Sequence, residues 1–128
     1  MAGPKLDGAG QVKMQTLEEA LGQVQRLHGI VERMAVAVRS QQSTLEFGPQ
    51  LRRAGTPLVG LLKGQFGMIS DQVAAMLLVA TRGGNEQHKL RSLREGVAQI
   101  RTQLEISVNK VKEQHAADEH AQEKPGGE

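Results

Sequence analysis

The chain has 128 residues and a mass of 13.8 kDa, enough for one domain and little more. It has no Cys, no Trp, no Tyr and only two Phe, Phe47 and Phe66. That excludes a disulfide framework, a thiolate metal site, a cysteine nucleophile and a platform of exposed rings for base stacking. Net charge is +2 but unevenly placed: residues 1–50 sum to zero, residues 51–112 carry ten bases against four acids, and residues 113–128 carry one base against five acids.

So few aromatics argue against a sheet-rich fold, whose strands favour aromatic and β-branched residues. Leu, Val, Ile, Met and Ala must build the core, which points to an all-α class. The start, Met1-Ala2-Gly3-Pro4-Lys5, is followed by no apolar run, and no secretory signal is read there. The most apolar stretch, residues 58–80, contains Lys63, Gln65, Asp71 and Gln72, too costly for a membrane span. A cytoplasmic setting is expected, with the nucleus as an alternative.

Residues 1–15, with Gly3, Pro4, Gly8 and Gly10, show no periodicity and read as a flexible arm. The first helix is expected at Thr16, with Glu19 three residues on completing a capping box. From there Leu17, Leu21, Val24, His28, Val31, Ala35 and Val38 step by fours and threes, the spacing of one helical stripe, to about residue 42.

Residues 43–56 read as a connection holding one short helical turn, broken at Gly48-Pro49. Thr56-Pro57 then resembles a cap followed by a first-turn proline. A second long helix is expected over residues 56–81, with Leu58, Leu62, Phe66, Ile69, Val73, Leu77 and Ala80 on one stripe. A second, nearly bare stripe comprises Gly60, Gly64, Gly67, Asp71 and Ala74. Each interior glycine costs about 1 kcal/mol relative to alanine, which close approach of a neighbouring helix would offset. The alternative is that these glycines loosen or kink the segment.

Arg82-Gly83-Gly84 should end that helix in a tight reversal, and Asn85 should cap the next. Leu90, Leu93, Val97, Ile100, Leu104, Ser107 and Val111 then repeat without a slip to about residue 115. This third helix should overhang the second and leave Ile106, Val108 and Val111 in need of cover. Residues 116–128 read as a disordered acidic tail. The expected architecture is an antiparallel, coiled-coil-like bundle of three long helices over residues 16–115, with a short fourth element admitted within 43–56.

The catalytic inventory is empty. No Gly-x-Ser-x-Gly elbow, phosphate-binding glycine loop or Glu-x-x-His bundle motif occurs. His28 on the first helix invites a phosphotransfer reading, but the His-x-x-Lys-Gly pattern is missing and a core-edge histidine fits better. His115 and His120, five residues apart, do not face one metal from one helix.

The expectation is therefore a non-enzymatic helical adaptor or scaffold subunit, without cofactor, metal or small-molecule substrate. It would bind its own copy or other helical subunits through Leu21, Val24, Val31, Leu93, Val97, Ile100, Leu104 and Val111. Gly60, Gly64 and Gly67 would permit close contact. The alternative is a basic face on the third helix, Arg91, Arg94 and Arg101, that binds nucleic acid or an anionic membrane, and a second alternative is a histidine phosphotransfer module using His28.

Overall fold

The computed structural model describes the backbone of residues 8–123 and the side chains of residues 8–116. Four α-helices follow one another: α1 (Gly8–Arg39), α2 (Phe47–Leu62), α3 (Gly67–Thr81) and α4 (Glu86–Glu123). At 1.5 Å per residue they measure about 48, 24, 22 and 57 Å. No strand occurs among the described residues. α1 packs on α2 and α4, and α3 packs on the same two helices, while neither diagonal pair approaches closely. The result is a four-membered ring in chain order, long on the α1/α4 side and short on the α2/α3 side.

Cross-helix bonds fix the directions. Arg94 bonds Glu32 and Arg101 bonds Gln25, so residue numbers rise along α4 as they fall along α1. The Ser70 hydroxyl of α3 donates to the Val59 carbonyl of α2, while near the other end Gly48 lies under the Ala80 carbonyl. Both pairs are antiparallel.

Two helices therefore occupy the place of the expected second helix. The apolar period of residues 58–80 crosses a four-residue reversal at 63–66, and each side of it packs separately into the core. Gly64 lies in this reversal and Gly67 opens α3, so two of the three glycines act through the chain break that was the alternative reading. In the reversal the Phe66 amide donates to Leu62 and the Phe66 carbonyl accepts from Ser70 (2.8 and 2.9 Å). The expected 43–56 connection is mostly helix: Phe47, Leu51 and Gly55 are buried on α2. Thr56 is no cap, because its hydroxyl donates back to the Arg52 carbonyl at 2.8 Å, and Pro57 sits exposed in the helix interior.

The hairpin is stapled at its turn. Val59 lies in the last turn of α2, where carbonyls lose their helical donors, and the buried Ser70 hydroxyl supplies one at 2.9 Å. Ser70→Ala leaves that carbonyl short of a partner and is expected to cost about 1 kcal/mol. The readout is the urea midpoint, which should fall with no change in slope.

α1 begins two turns before Thr16, inside the stretch expected to be an arm, and α4 continues through residue 116 to Glu123. Val111 is buried, Met14 and Val108 pack against the core, and Ile106 remains exposed on the far side. The arm and tail expectations for residues 1–7 and 124–128 fall outside the described residues.

The ends of α1 and α4 are well made. After Arg39 the Gln42 amide bonds the Ala37 carbonyl and the Gln41 amide bonds Val38, with Gln41 left-handed at φ 58°. That is a Schellman closure built on glutamine instead of glycine. Asn85 caps α4 as expected, its Oδ1 accepting from the His88 amide at 3.0 Å. Gly84, at φ +125°, makes the reversal ahead of it.

Candidate interaction surface

The seams that make the helices amphipathic are filled within the chain. Val24, Val31, Leu93, Val97, Ile100, Leu104 and Val111 are all buried in one core cluster, and Leu21 is half-buried at its edge. These side chains hold α1 to α4 and both to the hairpin; they do not face outward to a second protein. Their heptad spacing is real, but its partner is another helix of the same chain.

The glycines expected at a close helix contact are elsewhere. A methyl group on Gly60, Gly64 or Gly67 would meet nothing within 4 Å. Close approach falls instead at Gly55, where an added Cβ would lie 2.6 Å from a Leu77 methyl, and at Gly96, 3.1 Å from Met76 Cγ. Opposite outcomes follow for two identical substitutions. Gly60→Ala is expected to stabilise the chain by about 0.5–1 kcal/mol through helix propensity alone. Gly55→Ala should lower stability, because displacing Leu77 costs about 1–3 kcal/mol and outweighs that gain. Thermal midpoints of the two variants check the signs.

The basic face of α4 is largely engaged by α1. Arg94 holds Glu32 through two bonds, Nε to Oε2 at 3.0 Å and Nη2 to Oε1 at 2.9 Å, and Arg101 Nη2 donates to Gln25 Oε1 at 2.7 Å. The Arg94 hydrogen bond holds the Glu32 carboxyl below the usual carboxylate range, against the opposing effect of burial. Arg94 is raised by the same bond. A carboxyl lowered on folding adds stability above its unfolded pKa, and this is lost as pH falls through the lowered value. Both side chains are nearly half exposed, at 48% and 42%, so solvent screening keeps the pair below about 1 kcal/mol.

Arg91 remains on the outside of α4, beside a shallow groove of about 350 Å³ shared with Arg39 and Glu95. Acids are thus interleaved with bases along this face. His28 is half-buried on the α4 side of α1, one turn before Glu32. Among the described residues no three His, Asp or Glu side chains gather where one metal ion would reach them. The side chain of His120 falls outside those residues. Among them, too, no helix is long and apolar enough to cross a membrane.

The surface that stands out is the exterior of α3. Its inner side is buried through Ile69, Ser70, Val73, Met76 and Ala80. Its outer side carries Met68 and Leu78, 82% and 59% exposed, with the exposed Ala75 between them. Asp71 is the helix's only charged residue. A helix apolar on all sides is ordinarily covered on all sides. The sequence held the signal for this face, since Asp71 and Ala74 belong to the second stripe of residues 56–81. That stripe faces outward, because the reversal at 63–66 turns α3 back against α2 and α4. Comparison with protein-family models, with curated proteins and with solved structures finds no significant match to this chain.

Proposed function

We propose that the chain is a non-catalytic helical adaptor whose docking face is the exterior of α3. The observation that carries this reading is the pair of large apolar side chains, Met68 and Leu78, standing in solvent on a helix with a single charge. Leaving a side chain of that size wet forgoes about 1.5–3 kcal/mol that burial would recover. A short run of such residues on one helix suits a partner helix laid along it, read at positions three and four apart.

The test is site-specific photo-crosslinking in the cells of origin, with a photoreactive side chain at Leu78 and, as control, at the exposed Thr102 of α4. Protein adducts at position 78 and not at 102 are the expected result. No adduct at 78, or equal adducts at both positions, would overturn the proposal.

A further inference from the structure

Resting on that adaptor reading, we infer that the occupant of the α3 face is a second copy of this chain, with the two α3 helices antiparallel across a two-fold axis at Ala75. The face is self-complementary. Met68, Asp71, Ala75 and Leu78 follow at intervals of three and four on one side of α3, and Arg82, the residue just past the helix that closes its C-terminus, follows four residues on; all five are exposed. An acid stands toward one end and a base at the other. Parallel pairing would set Asp71 on Asp71 and Arg82 on Arg82. Antiparallel pairing about Ala75 places Asp71 level with Val79 of the other copy, three residues or about 4.5 Å along the axis from its Arg82. An arginine side chain spans that offset, and the two-fold axis makes the ion pair twice.

The apolar residues fit the same register. Leu78 of one copy comes level with Gln72 of the other, between its Met68 and Ala75 and alongside the stem of its Asp71, whose carboxylate turns toward Arg82. Met68 comes level with Arg82 and packs on its aliphatic stem. Ala75 at the crossing keeps both backbones close. A strongly charged partner fits less well, because one acid and one base on the same stripe cancel: an anionic surface meets Asp71, and a cationic one meets Arg82. The contact of two helices about 22 Å long falls at the small end of specific interfaces, so a dissociation constant of tens of micromolar is expected, as an order of magnitude.

The experiment uses the full chain, which has no cysteine of its own. Under mild oxidation at about 100 μM, several times that dissociation constant, Ala75→Cys should form a disulfide dimer at least about tenfold faster than the control Thr102→Cys. In sedimentation equilibrium Asp71→Arg and Arg82→Asp should each weaken the dimer by about tenfold, and the double variant should restore it, since each change alone sets like charges together at two places. Circular dichroism confirms that these exposed substitutions leave helicity intact. Dimerisation indifferent to the charge variants, or a monomer at several hundred micromolar, well above that constant, overturns the inference. A monomer whose position 78 still crosslinks a different protein overturns the second copy and leaves the adaptor reading standing. A monomer with no adduct at 78 overturns both.

Discussion

Val97→Asp is expected to leave the chain unfolded at room temperature, with the helical circular-dichroism signal largely lost. Val97 lies on the inner side of α4 within the single core cluster. Among the described residues the cluster offers no cation: the buried polar residue is Ser70, and its hydroxyl already serves Val59. An unpaired carboxylate there either stays charged in an apolar medium or takes up a proton, and both routes cost several kcal/mol. A domain of this size has about 5–15 kcal/mol in total, and one with so few aromatics lies toward the lower end. The matching control is Leu78→Glu, the same kind of change on the outside of α3. Its thermal midpoint should move by no more than about 3 °C, as for other exposed sites. A folded Val97→Asp, or an unfolded Leu78→Glu, would mean that the inner and outer sides have been misassigned.

The second large effect is expected at Leu51. In a loop with one turn this leucine would be a minor contact, and alanine would cost little. In α2 it is fully enclosed, 1% exposed, among residues of the core cluster. Leu51→Ala should then cost about 2–5 kcal/mol, the transfer of the lost carbons plus the cavity they leave. The thermal midpoint should fall by more than about 10 °C. Chemical denaturation at constant slope would separate this loss from a change in the unfolded state.

Those two sites mark where the sequence is informative and where it misleads. α4 is readable from Asn85 to Val111 because its cap and its three-four repeat agree, and every seam residue through Leu104 is buried. The seam of α1 is equally plain, although its start is not. Thr16 and Glu19 imitate a capping box, while the extension to Gly8 is supported by α4 lying alongside, a long-range cause that no local window contains.

The α2/α3 hairpin was hidden for a different reason. Leu58, Leu62, Phe66, Ile69 and Val73 keep helical spacing straight through the reversal, so periodicity alone predicts one rod. Thr56-Pro57 adds a false start in the middle of α2. Only Lys63-Gly64-Gln65 signals a break, and glycine there competes with a strong apolar pattern. Heptad spacing also does not say whether a seam is filled by the same chain or another. Here α1 and α4 fill each other, and the face left for a partner is the sparse one, where Asp71 and Ala75 dilute the signal. Gln41 belongs with these: a left-handed glutamine carries no mark in the sequence.

Because the reversal at 63–66 decides which side of α3 faces outward, both the adaptor reading and the second-copy inference depend on it. The direct measurement is an electron–electron distance between spin labels at Thr56 and Thr81, both exposed and easily addressed in a chain without cysteines. Two antiparallel helices put these backbones about 15 Å apart, from a packing distance of about 9 Å and an axial offset of about eight residues set by the 59/70 and 48/80 pairs. A continuous helix over the same residues would set them about 38 Å apart. A short-distance distribution is the predicted result, and a population near the long value would contradict the account.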